Sequence, residues 1–318
     1  MKIRHFLMVG AASFAFAASA QAQSICFNGG TSSASCSGTN SFTVDGASAG
    51  SGVITTSNIE LTNGTAGNYG AVSSSEAFST GGGISANFDF SITPTTPLTS
   101  ANYSLGVSNG FAFTISSQPT LNGQSTSQLG VGDANSLEVE FGTFASPAGH
   151  APVSGATTYS NFLAVYDKGN NTFAPSTIST PATINPLAQT APVGTGTCEG
   201  GKKTAVTGSD CFVSGLWNAQ ISLYHDILTV TLAQDTTGPN GTYNPVFSEQ
   251  FNVAALLADA GITSGPVYLG FAASSGNQTY DAINIGGFEA VPEPASIAAF
   301  GFGLLGLGMI RRRKSAAA

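Results

Sequence analysis

Five apolar side chains set two residues apart, Ile84, Ala86, Phe88, Phe90 and Ile92, alternate with Ser85, Asn87, Asp89 and Ser91. Successive side chains of an extended chain point to opposite faces, so the stretch predicts a strand with one face in a core. A helix would scatter the same five residues around its circumference. Comparable strand-like stretches, bounded by turn residues, occur at Asn58 to Thr62, Gly110 to Ile115, Leu137 to Phe144, Phe162 to Tyr166, Val267 to Ala273 and Ala282 to Phe288. Trp217 to Tyr224 and Ile227 to Leu232 flank His225-Asp226 and read as a hairpin. Only Phe251 to Ala260 suggests a helix, a short one. Many strands with almost no helix predict an all-β fold, a sandwich or jelly roll.

One region breaks the pattern. From Asp167 to Cys211 the chain carries Pro175, Pro181, Pro186 and Pro192 amid Thr, Ser and Ala, and reads as a long exposed excursion. The four cysteines fall in two local pairs, Cys26 with Cys36 and Cys198 with Cys211. In an oxidising compartment this spacing suggests two small-loop disulfides, although four cysteines allow three connectivities. Zinc is the alternative use, but neither pair is C-x-x-C and no nearby His completes a site.

Both ends carry signals. Lys2, Arg4 and His5 precede an apolar run from Phe6 to Ala18, followed by A-x-A sites ending at Ala20 and Ala22. This is the order of a cleaved secretory signal, residues 1–22, and the run is too short for the roughly 20 residues of a membrane span. At the other end, V-P-E-P (Val291, Pro292, Glu293, Pro294) is followed by a glycine-rich apolar run from Ala295 to Ile310. The basic cluster Arg311, Arg312, Arg313 and Lys314 then closes the run. Apolar residues backed by a basic cluster behave as a stop-transfer segment with the cluster held cytoplasmic. The run predicts a short C-terminal hydrophobic helix that holds the chain in the inner membrane temporarily. This three-part tail, residues 291–318, resembles the PEP-CTERM sorting signal of Gram-negative bacteria. The resemblance implies processing by an exosortase near V-P-E-P, then release or attachment at the outer surface, often alongside exopolysaccharide.

Roughly 270 residues lie between the signals, enough for one large all-β domain. Between Asp45 and Glu289 stand 16 carboxylates against Lys168, Lys202 and Lys203, a balance of −13. Phosphate backbones are bound chiefly through Lys and Arg, so nucleic acid is excluded as a partner. The acidity fits solubility outside the cell.

The strand sequences themselves carry a further likeness. I-E-L-T-N-G-T (59–65), F-D-F-S-I (88–92), N-G-F-A-F (109–113), L-G-V (129–131) and L-E-V-E-F-G-T-F (137–144) occur in that order. W-N-A-Q-I-S-L-Y (217–224), L-T-V-T-L (228–232) and V-Y-L-G-F-A-A-S-S-G (267–276) follow. Together, from about Ser41 to Ala290 and after an N-terminal segment 23–40, they resemble the L-type (legume-type) lectins. The resemblance implies a concanavalin-like jelly-roll β-sandwich that binds carbohydrate beside Ca²⁺ and a transition metal. It places carbohydrate contacts at Asn109, Ser127, Asn161, Ser275 and Asn277, and metal ligands at Glu140 and, through its backbone carbonyl, Phe144. Ca²⁺ requires a shell of oxygen ligands. Gly142 stands where the family has an aspartate, Asn161 where it has a histidine, and Asn109 where it has the sugar-binding aspartate, so the metal set is depleted.

Other chemistries find less support. Glu138 and Glu140 lie two apart on one strand face, but the third acid of the laminarinase-type E-x-D-x-x-E motif is Thr143. A solvated strand face, or one residual ligand, is the plainer reading of that pair. His150 and Tyr159, in the loop after it, could stack on or bond a sugar ring, or could simply be exposed. With no G-x-S-x-G motif either, the expectation is a non-enzymatic surface protein that binds glycans. The alternative is a structural matrix protein that keeps the fold without sugar binding.

Overall fold

The computed structural model describes residues 25–26, 42–55, 58–75, 77–79, 83–94, 110–123, 129, 131, 135–142, 162–167, 172–173, 212, 215–235, 243–262, 265–275 and 281–292. These residues form two antiparallel sheets of eight strands each. The back sheet contains β1 (Ile25–Cys26), β3 (Val53–Ile54), β4 (Asn58–Asn63), β7 (Ile84–Pro94), β12 (Leu216–Tyr224), β13 (Ile227–Asp235), β14 (Tyr243–Asn252) and β16 (Asp281–Pro292). Its order is β14-β13-β12-β7-β16-β4-β3, with β1 pairing β16. The front sheet contains β2 (Phe42–Ala47), β5 (Tyr69–Ser74), β6 (Phe78–Ser79), β8 (Gly110–Ser116), β9 (Ser136–Gly142), β10 (Phe162–Asp167), β11 (Thr172–Phe173) and β15 (Pro266–Ser274). It runs β11-β10-β9-β8-β15-β5-β2, with β6 on β15. Among the described residues there is one short helix, α1 (Ala254–Asp259), which follows β14 and turns Leu256 and Leu257 inward. The expected all-β sandwich is observed, and the predicted hairpin turns at His225, whose φ is 53°.

The alternating residues of β7 carry the core as expected. Phe88 and Phe90 are fully buried and meet Phe111, Phe113, Phe141 and Phe271 from the front sheet. On the outer side of the same strand, Asn218 Nδ2 donates to Asn87 Oδ1 at 2.7 Å and to Asp89 Oδ1 at 2.9 Å. β16 keeps its apolar residues inward by changing phase. Ile283 and Ile285 face the core, then the register shifts between Gly286 and Glu289, so Phe288 and Ala290 face it too. Gly287, at φ 56°, supplies the left-handed residue that such a bulge needs.

The front sheet departs from the one-sided expectation. Every residue of β8 and of β9 is buried, including Glu138 and Glu140 at 0% exposure. The pair is therefore not a solvated strand face. The chain from Ser117 to Gly123 folds back over this second face, where Ala71, Ala112 and Ala272 leave a shallow bed for Leu121. Gly270 belongs to the same bed, because a Cβ there would meet Leu121 Cδ1 at 2.7 Å. Ser73 Oγ donates to Pro119 O at 2.7 Å, and Leu121 N donates to Asp45 Oδ2 at 3.0 Å.

Asp45 makes this flap sensitive to pH. Burial raises its carboxyl above the ordinary 3.8, against the lowering influence of the nearby Ser73 hydroxyl and of the hydrogen bonds from Leu121 N and Thr43 Oγ1. Ionisation therefore costs more in the folded than in the unfolded chain, above the folded pKa, and the cost is relieved as pH falls through it. Asp45→Asn keeps an oxygen acceptor for Leu121 N and carries no charge. Urea unfolding should find it at least as stable as wild type at pH 7, with wild type gaining on it towards pH 4. A relative loss for wild type on acidification would contradict this account.

Candidate functional site

The candidate residues are scattered in sequence, and the strand register brings their anchors together. Gly110, which follows Asn109, pairs with Gly142, two residues before Phe144. Gly142 pairs on its other side with Phe162, which follows Asn161. Ala273 pairs with Phe111, so β15 ends, at Ser274 and three residues before Asn277, on the same side, with Ser275 directly after it. Four of the candidate segments thus spring from one end of the front sheet. Asn109, Ser127, Phe144, Asn161 and Asn277 themselves lie outside the described residues.

Gly110 shows why this end needs a glycine. Its φ is 99°, and a Cβ there would stand 2.0 Å from Phe141 O and 3.0 Å from Gly142 Cα. The chain carrying Asn109 can join β8 beside β9 only if the joining residue has no side chain.

Ser275 is fully buried, and its hydroxyl works inside the protein. It accepts from Asn68 N at 2.9 Å and donates to Thr65 O at 2.8 Å, while Ser275 N donates to Asn68 O at 2.8 Å. Asn68 in turn donates from its side chain to Asn63 Oδ1, which also accepts from Thr65 N at 3.1 Å. The β4–β5 turn is thereby locked to the end of β15. Thr62 Oγ1 donates to Asp281 O at 2.7 Å, tying the start of β16 to the same end. Sequence reasoning singled out Ser275 but missed Asn68 and Thr65, whose polar turn residues carry no periodic signal.

Glu140 stands on the outer face of β9, between Ala112 and Ala164 of the neighbouring strands. Glu138 shares that face, between Thr114 and Tyr166. Burial first, and then the carboxylates Glu138, Glu140 and Asp167, push the Tyr166 phenol far above its ordinary range. Its hydroxyl stays neutral, able to donate a hydrogen bond to an anionic neighbour. Thr114 Oγ1 is buried with no hydrogen-bond partner. Among the described residues no three His, Cys, Asp or Glu are grouped to hold a metal ion. Glu140 is the one described side chain of the expected metal set, and Gly142 offers no side-chain oxygen beside it.

The opposite end of the sandwich belongs to the tail. β16 runs 12 residues from Asp281, beside the Ser275 cluster, to Pro292, about 36 Å at the rise of an extended strand. At its far end Val291 pairs with Ser85 and Pro292 with Ile84 of β7. On its other side Glu289 and Ala290 pair with Cys26 and Ile25 of β1. Glu293 and Pro294, the apolar run, and Cys36, Cys198 and Cys211 lie outside the described residues. Among the described residues no helix is long and apolar enough to cross a membrane.

Comparison with known proteins addresses both ends. The family model for the PEP-CTERM protein-sorting motif matches residues 290–314. No curated protein matches the chain. Among solved structures, the metal-free form of the VIP36 exoplasmic/lumenal domain is similar at a TM-score of 0.50 and 13% identity, covering 85% of this chain and 91% of that one. Lectin II from Ulex europaeus gives 0.48 and 15% identity, covering 84% and 97%. The lectin from Bauhinia forficata in complex with GalNAc gives 0.48 and 16%, covering 85% and 97%. The chain therefore carries a PEP-CTERM sorting motif at its C-terminus, and its structural neighbours are legume-type lectins and VIP36. At these identities the likeness is one of fold, the jelly-roll β-sandwich.

Proposed function

We propose that this chain is an exported surface protein, processed by an exosortase, whose sandwich binds carbohydrate through the segments that depart from the Gly110–Ser275 end of the front sheet. The observation that carries this reading is the convergence of four separate candidate segments on one end of the front sheet, in a chain whose opposite end bears a sorting motif. Export through the inner membrane of a Gram-negative bacterium and display at the cell surface or release follow from the motif. Exopolysaccharide of the producer, or the surface sugars of a neighbour, are the ligands such a protein meets. Amide side chains such as those of Asn109, Asn161 and Asn277 can both donate to and accept from sugar hydroxyls.

The reading is non-enzymatic. A retaining hydrolase needs two carboxyl groups open to the substrate across the scissile bond, whereas Glu138 and Glu140 are both closed off from solvent. Ca²⁺ would find Glu140 and a backbone carbonyl at Phe144, but the charge count of that set is low for a hard cation. Binding is therefore expected to survive chelation.

A glycan array probed with the mature domain, with and without EDTA, tests this. Binding to a subset of glycans that persists in EDTA is the expected result. Loss of signal in EDTA would restore a metal to the site. A blank array would overturn the carbohydrate reading in favour of a matrix protein that retains only the fold.

A further inference from the structure

The sorting motif begins inside the folded domain. Val291 and Pro292, its first two residues, are rungs of a ladder between β16 and β7, with no linker between sheet and motif. β7 flanks β16 on one side through Pro292, and β1 flanks it on the other as far as Ala290. A processing enzyme takes its substrate as an extended segment in its own groove, and chain already committed to a ladder is poorly available to it. We infer that the bond cut during sorting lies beyond Pro292, so that Val291 and Pro292 stay in the sheet of the mature protein, and that release of the motif from β7 limits the rate of processing. The inference rests on the sorting reading and goes beyond it in assigning the bond and the limiting step.

The step itself is an acyl transfer. The peptide bond on the C-terminal side of the retained residues breaks, and its carbonyl passes to water, leaving a carboxylate on the domain. The tail departs with the proton as a new α-amine. An amine on an acceptor molecule in place of water would give an amide and a larger mass.

The register also places the start of β1 at this pole. β1 is antiparallel to β16, so the chain before Ile25 and the chain after Pro292 leave the sheet at the same end. The Asn68–Ser275 cluster sits at the other end, about 36 Å away along β16. A molecule held by its tail presents the Asn68–Ser275 end outward.

The test uses the full chain in a host that carries an exosortase. Intact mass of the mature protein should show a C-terminus at Pro292 or later, as an acid or as an amide with added mass. A C-terminus at Val291 or earlier would overturn the assignment. In a pulse-chase, a six-residue Gly-Ser insertion between Ala290 and Val291 frees the motif from β7 and should speed processing at least threefold. An unchanged or slower rate would refute the limiting step. Replacing Pro292, Glu293 and Pro294 with alanine separates the two levels. It should leave unprocessed protein in the membrane, and normal processing there would remove the sorting reading itself.

Discussion

Phe88→Ala should cost about 3–5 kcal/mol, the usual penalty for emptying an aromatic site that cannot collapse. Phe88 is fully buried on the central strand of the back sheet, and its ring is 4.9 Å from that of Phe271 and 5.7 Å from that of Phe113. Further ring neighbours are Phe90, Phe111, Phe141 and Phe288, so one side chain joins both sheets through six others. Aromatic pairs contribute roughly 0.5–1.5 kcal/mol each beyond the area they bury, though the values do not add. Because a domain is stable by only about 5–15 kcal/mol, this substitution removes a large share of the total. At roughly 2–4 °C per kcal/mol for a domain of this size, the melting temperature should fall by about 10 °C. Phe88→Leu, which refills most of the volume, should lose less than half as much. Tyr224→Ala, at a site 51% exposed, should be nearly neutral. A Phe88→Ala protein that melts with wild type would mean that the two sheets are not held together through this ring.

Phe88 was legible because the strand that carries it is buried on one face and polar on the other. The alternation in β7 is a direct print of that environment. β5 left no such print. Tyr69–Ser74 reads Y-G-A-V-S-S, and five of its six residues are buried because Val72 faces the sandwich while Ala71 and Ser73 face the flap. A strand covered on both sides by close-fitting neighbours selects small residues, which in a sequence resemble a loop. β14 was hidden for a different reason. Pro245 lies within it, and proline is tolerated because β14 ends the order of the back sheet and because the register shifts opposite it, between Leu232 and Ala233. The helix expected over Phe251 to Ala260 is shorter, since Phe251 and Asn252 are still paired to Leu228 and Ile227. The site was half legible. Motif order pointed to the segments that converge, but no local pattern announces that Glu138 and Glu140 are buried on the second face of β9. Likewise the buried hydroxyl of Ser275 holds a turn whose other members, Asn68 and Thr65, come from more than 200 positions earlier.

Gly110→Ala should cost about 3 kcal/mol and, under the proposed function, remove glycan binding before it unfolds the sandwich. Two penalties combine at this position. A φ of 99° is strained for any residue with a side chain, and the new Cβ would fall 2.0 Å from Phe141 O, a backbone atom fixed by its own ladder. Relief requires the start of β8 to part from the end of β9, which moves the segment leading to Asn109 away from the one that follows Gly142. Other glycines separate the terms. Gly67 has a φ of 74° with nothing within 4 Å of its Cβ position, so Gly67→Ala should show the backbone strain alone, about 1 kcal/mol. Gly265 has open space and no positive φ, and Gly265→Ala should change stability by less than about 0.5 kcal/mol. Urea midpoints for the three variants should therefore fall in the order Gly265, Gly67, Gly110, from least to most affected. Equal losses at Gly67 and Gly110 would eliminate the collision with Phe141. A Gly110→Ala protein that is destabilised yet keeps wild-type affinity for a glycan bound by the parent protein would move the proposed binding surface away from this end of the front sheet.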